Sequence, residues 1–385
     1  MQVVKRVREL PTSYLREILA AADVSRLISL AGGLPSLESF PLRDMQQVFN
    51  DLTGQPELFQ YAQSRGYPPL LAYLAQRYEL DEKQGLLMTN GSQQGLDLLV
   101  RAYLNPGDKV AVEAPSYLGA LQVFRLAGAN LQAVPQLADG PDLEALERVF
   151  AAGDVKMFYA IADFHNPTGV CYSLAVRRGI AQLCRRYGVL LIEDVPYREL
   201  RFSGEHQPLI SDFCPECAVV MRSFSKIVCP GLRLGVVHGP TQWIDQLLRV
   251  KQICDLQTNQ IMQHVLLNVL QQSHFESHLG AVRAGYRKQY KALRAALDKH
   301  LGGAYRAAEV EGGMFIWIEL LGERALDMSA LAERCLAHGV AVVPGSVFYI
   351  AETDGQYLRL NFSGANCAQL DLAVQRLAAA VEAFN

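Results

Sequence analysis

The sequence predicts an α/β fold in which a mostly parallel sheet is covered by helices and a smaller α+β domain follows. Three observations carry this. From about residue 85, short apolar runs alternate with segments of helical periodicity. The runs are continuous rather than alternating, as expected of strands buried on both faces. At 385 residues the chain exceeds what one simple core accommodates, which calls for a large domain and a small one.

The elements follow in order. Leu86-Leu87-Met88-Thr89 reads as a strand and Gln93 to Tyr103 as a helix stopped by Asn105-Pro106-Gly107. Lys109 to Glu113 reads as a strand, Asp142 to Phe150 as a helix, Met157 to Ile161 as a strand and Leu174 to Tyr187 as a helix. Val189 to Asp194, Ala218 to Met221 and Leu234 to Val237 read as further strands. Helix formers from Ile253 to Asp298, with Arg283, Arg287 and Lys291 at helical spacing, predict one long helix. Met314 to Ile318, Val340 to Val343 and Tyr357 to Leu360 are expected strands of the smaller domain. The division expected is 1–45 as an N-terminal segment joining the small domain, 46–280 as the large domain and 281–385 as the small one.

Composition excludes several classes. A net charge of −3 with both signs mixed gives no electrostatic reason for a nucleic-acid partner. No zinc-finger spacing occurs, and no metal is expected. The basic N-terminus lacks the apolar stretch of a secretory signal. No window reaches 18 uninterrupted apolar residues, so no membrane span is expected. Eight scattered cysteines read as reduced thiols of a cytoplasmic protein, and Cys214-Pro215-Glu216-Cys217 is a lone CxxC with no second pair.

In sheets of this kind ligands bind at the carboxyl ends of the strands, and polar residues cluster there. Asn90-Gly91-Ser92-Gln93-Gln94 turns a strand into a helix. It reads either as an ordinary turn or as a phosphate site made by free N–H groups at the helix start. In His165-Asn166-Pro167-Thr168-Gly169 the proline holds Asn166 extended, which aims its amide at a ligand or serves turn chemistry alone. Asp194 ends a strongly apolar run and needs a partner: a protonated ring nitrogen, a helix cap or a structural ion pair. Lys226, in Ser223-Phe224-Ser225-Lys226, is a Schiff-base candidate if burial and neighbouring cations depress its amine. Arg233, in Pro230-Gly231-Leu232-Arg233-Leu234-Gly235, suits a phosphate.

Taken together these residues resemble the class I/II aminotransferases of the fold-type I pyridoxal-phosphate enzymes, from about residue 13 to residue 363. The resemblance implies a seven-stranded, mostly parallel sheet in the large domain and pyridoxal 5'-phosphate as cofactor. It implies that Lys226 forms the Schiff base and then moves the proton in the 1,3-shift. Asp194 would pair with the pyridine nitrogen. Asn166 and Tyr197 would bond the phenolic oxygen, and Tyr117 would stack on the ring. Ser92, Gln93, Ser223, Ser225 and Arg233 would cradle the phosphate. Arg359, in Tyr357-Leu358-Arg359-Leu360, would hold the substrate α-carboxylate.

Tyr61 resembles the tyrosine that reaches a neighbouring subunit's phosphate, which implies a homodimer with shared sites. Ser13 to Ile18 and Leu30-Ala31-Gly32-Gly33-Leu34-Pro35 resemble the 2-aminoadipate aminotransferase-like branch. There Gly33 would let backbone approach the substrate, and Arg16 would meet a side-chain carboxylate such as that of 2-oxoglutarate or pair within its own helix. The substrates implied are a small α-amino acid and a 2-oxo acid, exchanged by a ping-pong mechanism. Ala162-Asp163-Phe164-His165 departs from that branch, which more often has Pro and Gln there, as do Cys229 and Val236-Val237.

Two other readings share the scaffold. One is a pyridoxal-phosphate C–S lyase or decarboxylase. The other is the effector domain of a transcription regulator, which the short stretch before the family-like segment speaks against.

Overall fold

The structure is a computed structural model and describes residues 2–8, 27–322 and 326–383. Its strands in chain order are β1 (Ile28–Ser29), β2 (Gln84–Thr89), β3 (Lys109–Ala114), β4 (Asn130–Leu137), β5 (Gly140–Pro141), β6 (Val155–Ala160), β7 (Leu190–Asp194), β8 (Ala218–Ser223) and β9 (Gly235–Pro240). After them come β10 (Tyr305–Ala307), β11 (Phe315–Leu320), β12 (Val340–Ala341), β13 (Val343–Pro344) and β14 (Tyr357–Asn361).

The large sheet runs β2-β9-β8-β7-β6-β3-β4-β5. Its centre, from β4 through β3, β6 and β7 to β8, is parallel. β9 runs antiparallel to both β2 and β8. Seven strands match the expected sheet; the eighth, β5, is a two-residue antiparallel edge on β4. Side chains alternate across a strand, and here the two sets enter two different cores. Val110, Val112, Met157, Tyr159 and Ile192 pack on one face. Ala111, Phe158, Ala160 and Leu191 pack on the other. That two-sided burial is why these segments read as unbroken apolar runs.

Helices Ser92–Tyr103, Leu118–Ala127, Leu143–Ala151 and Leu174–Tyr187 cross over between the strands, and Thr241–Cys254 follows the last of them, β9. Asp142 and Ser173 cap two of them, each accepting hydrogen bonds from first-turn N–H groups. A second, antiparallel sheet has the order β10-β11-β14-β13. β1 pairs in parallel with β12, so the chain just before Gly33 is pinned to the C-terminal region.

The single long helix expected from Ile253 to Asp298 is not present. Three helices occupy the region: Thr241–Cys254, Gln260–Leu270 and Phe275–His300. The first break follows from side chains. Lys251 Nζ draws the Asp255 carboxylate to 2.8 Å, and Asn259 caps the next helix by accepting from the Met262 N–H. The run Val340 to Val343 also divides, since β12 pairs with β1 and β13 with β14. β4 and the helix Leu118–Ala127 were not foreseen. Among the described residues no helix is long and apolar enough to cross a membrane, and no cluster of metal-ligand type occurs.

Candidate active site

The carboxyl ends of the central strands open into a cavity of about 260 Å³. Its walls include Gly33, Ser92, Gln93, Tyr117, Asn166 and Asp194. Tyr197, Ser223, Ser225, Lys226, Arg233 and Arg359 complete the predicted set found there. Residues far apart in sequence converge because most sit at or beyond strand ends, as at the ends of β2, β7 and β8, while Arg359 comes from within β14.

At the end of β2, Gly91 caps helix Ser92–Tyr103 with φ +80° and no side-chain cap, so the Ser92 and Gln93 N–H groups stay free while the Gln94 N–H turns back to Gly91 O. Two things require glycine there. That backbone region suits no other residue, and an added Cβ would lie 2.8 Å from Arg233 Nη2. Behind the turn, Asn90 Nδ2 and Gln94 Nε2 each donate to Asp255 Oδ2 at 2.6 Å, and Lys251 neutralises that carboxylate. Arg233 follows Pro230–Leu232 and faces the same turn, its Nη2 3.4 Å from Asn90 O. Free helix N–H groups and a guanidinium beside Ser92, Ser223 and Ser225 form an anion site of phosphate type.

On the opposite wall Asp194 is buried at the end of β7. Tyr159 donates to its Oδ2 at 2.7 Å, while Oδ1 is buried with no partner. Burial raises this carboxyl to about 7, against the hydrogen bond from Tyr159. Such an atom calls for a cationic donor from the cavity, and a protonated ring nitrogen satisfies it. Asn166 Nδ2 donates to Tyr197 Oη at 3.3 Å, and Arg359 Nη1 donates to Asn166 Oδ1 at 2.8 Å. Arg359 also donates to Ala31 O, lies over the Phe315 and Phe348 rings, and keeps a buried Nε without partner. Burial lowers its guanidinium to about 10, although Tyr197 and Tyr117 oppose the shift.

Lys226 stands between these groups and donates from Nζ to Gly33 O at 2.8 Å. Burial, then the cations Arg233 and Arg359, lowers its amine to about 8. An amine so lowered is partly neutral near pH 7 and nucleophilic, as carbonyl chemistry requires. The residues present therefore fit a phosphorylated pyridine aldehyde: anion site, lysine, and unpartnered carboxylate in one cavity.

Two predicted residues stand apart. Tyr61 is 79% exposed and is not among the cavity walls. Arg16 lies outside the described residues, as does the segment Ser13 to Ile18. Sequence reasoning missed Tyr159, which reads as one more apolar residue of its strand. Its signal is visible only in the pairing of β6 with β7, which sets Tyr159 opposite Ile192, two residues before Asp194. Lys251 and Asp255 were missed because no strand end marks them.

Fold and cavity thus define the class of enzymes whose site accommodates a phosphorylated aldehyde beside a lysine. The chain matches the description "Aminotransferase class I and II" over residues 25–377 and belongs to that family. It is 34% identical to the 2-aminoadipate transaminase of Thermus thermophilus, over 98% of this chain and 96% of that one. The kynurenine aminotransferase of Pyrococcus horikoshii, solved in complex with PMP, superposes with a TM-score of 0.93 at 32% identity, over 99% and 97% of the two chains. The alpha-aminoadipate aminotransferase of Thermus thermophilus, complexed with N-(5'-phosphopyridoxyl)-L-leucine, gives 0.91 at 33% identity, again over 99% and 97%. The protein is a pyridoxal-phosphate-dependent aminotransferase of fold type I, acting on small molecules.

Proposed function

We propose that the enzyme moves an amino group between an α-amino acid and a 2-oxo acid, with glutamate and 2-oxoglutarate as one pair, by a ping-pong mechanism. The observation that supports this most is the unpartnered, buried Nε of Arg359 in the same cavity as Lys226. A planar cation with an unused donor suits a substrate α-carboxylate.

When bound, the cofactor supplies an aldehyde to take up amino groups and a protonated ring that withdraws electrons from the substrate Cα. The residues do the rest. Lys226 Nζ would hold the cofactor covalently and, once displaced, would take the proton from the substrate Cα and deliver it to the carbon that was the cofactor's aldehyde. Asp194 Oδ1 pairs with the ring nitrogen and keeps it protonated. Asn166 and Tyr197 bond the phenolic oxygen, and Tyr117 packs on the ring face. Ser92, Gln93, Ser223, Ser225 and Arg233 hold the phosphate. Arg359 orients the substrate, with Gly33 offering room for its approach.

The same reading makes the protein a homodimer in which Tyr61 completes the partner's phosphate site; its exposure in the single chain supports this. It sets the division between the large and small halves near residue 280, within helix Phe275–His300. A cytoplasmic setting belongs to it as well, supported by eight free cysteines.

The test is a half-reaction. Amino acids are screened for loss of the bound cofactor's visible absorbance, and 2-oxo acids for its return. Loss with glutamate and return with 2-oxoglutarate is the expected result. Release of ammonia or pyruvate without recovery would indicate a lyase, and no response to any amino acid would overturn the reading.

A further inference from the structure

Behind the cavity lies a buried polar chain that the reaction described above does not use. Glu113, at the end of β3, and His165, the residue before Asn166, are 1% and 0% exposed. His165 Nε2 lies 3.1 Å from Glu113 Oε2, off the line of an ideal hydrogen bond, and the buried Tyr172 hydroxyl faces the same carboxylate. Gln136 Nε2 on β4 donates to Glu113 Oε1 at 2.7 Å. His165 Nδ1 is 2.9 Å from Thr168 Oγ1, which accepts from the Val170 N–H at 3.4 Å. The backbone closes the same turn: the Gly169 N–H donates to His165 O at 2.6 Å and the His165 N–H to Val170 O at 2.8 Å.

A carboxylate only accepts, so the proton of a neutral His165 ring sits on Nε2, leaving Nδ1 to accept from the Thr168 hydroxyl. Every member of the chain then has one role, from Gln136 on β4 to Val170 past the turn. Such networks are costly to bury, and an apolar pair of similar volume would fill the space about as well. What an apolar pair lacks is direction. The chain ties two loops that face the cavity. Glu113 precedes Ala114-Pro115-Ser116-Tyr117, and His165 precedes Asn166, whose amide meets Tyr197 on one side and Arg359 on the other.

We infer that Glu113 and His165 are positioning residues: their pair fixes the 165–170 turn against β3 so that the Asn166 amide meets Arg359 and Tyr197 together. The inference rests on the proposed function for what Asn166 and Arg359 contact. A glutamine at 165 would likewise offer a donor to the Glu113 carboxylate.

The test separates positioning from mere stability. In Glu113→Leu/His165→Leu the buried charge is removed as a pair, so the melting temperature should stay within a few degrees of the parent. KM for the amino donor should nonetheless rise about tenfold, with a smaller change in kcat, because the carboxylate clamp loses its alignment. The Kd of the apoprotein for pyridoxal phosphate should rise several-fold. The single variant His165→Gln, which keeps the Glu113 carboxylate and can still donate to it, should leave both near parental values. A double variant with parental KM and Kd would overturn the inference. If the double variant does not fold, Thr168→Val carries the test: a KM increase in the same direction supports positioning, and an unchanged KM and Kd refutes it. The Kd measurement needs no turnover, so the inference can fail while the proposed reaction stands, and the reverse.

Discussion

At the scale of single residues, the site is defined by what its polar atoms lack. Asp194 Oδ1 is buried with no partner, and burial raises the carboxyl to about 7. The sign of its effect on stability follows. A carboxyl whose folded value lies above its ordinary value of about 3.9 binds more protons folded than unfolded between those values. The apoprotein therefore loses stability as pH rises from about 4 to about 7. Asp194→Asn removes that titration, so the apo variant should melt higher than the parent at pH 8 and no higher at pH 4. Equal pH profiles for the two apoproteins would contradict this assignment. In the presence of pyridoxal phosphate the order should reverse, since the parent alone offers the ring nitrogen an anion.

Legibility in the sequence divides at the same scale. Lys226, Asp194 and Asn166 could be found because each lies at or just beyond the end of an apolar strand, and Arg233 because it stands in the run Pro230-Gly231-Leu232-Arg233-Leu234-Gly235 that leads into β9. Tyr159 could not, because its hydroxyl matters only once β6 lies beside β7. His165 was noticed as a departure, but its meaning required Glu113, fifty-two residues earlier (165 − 113) and on a strand beyond β6 in the sheet order.

At the scale of elements, the strands with buried apolar runs were readable, the edge strand β2 among them, and the mostly exposed β4 was not. β4 carries Gln132, Pro135 and Gln136, and only Val134 among its eight residues is buried. An edge strand of that kind has no apolar run to announce it. The overlong helix from Ile253 failed for a different reason: composition records helix formers, whereas helix ends are set by contacts such as Lys251 with Asp255 and the Asn259 cap. The turn at Gly91 is the element to which the proposed function assigns the holding of the phosphate. Gly91→Ala forces a side chain into a glycine-only backbone region and toward Arg233, a cost of about 1–3 kcal/mol. The variant should fold with a lowered melting temperature and bind pyridoxal phosphate at least about tenfold more weakly. Unchanged binding would show that the helix start does not hold the phosphate.

At the scale of the whole molecule, the cavity is assembled from separate stretches of chain: the segment after β1, the ends of β2, β7 and β8, the loops bearing Tyr117 and Asn166, and β14. On the proposed function, holding is spread over many contacts, while the covalent link and the proton transfer rest on the Lys226 amine. The account separates the two. Lys226→Ala should still bind pyridoxal phosphate reversibly through Asp194, Arg233 and the Gly91 turn. It should lose turnover by at least about a thousandfold, because nucleophile and proton carrier vanish together. The decisive measurement is turnover of that variant with cofactor bound, using the amino donor that most readily discharges the parent enzyme. Retained cofactor with turnover collapsed is the result the account predicts; near-parental turnover would contradict it.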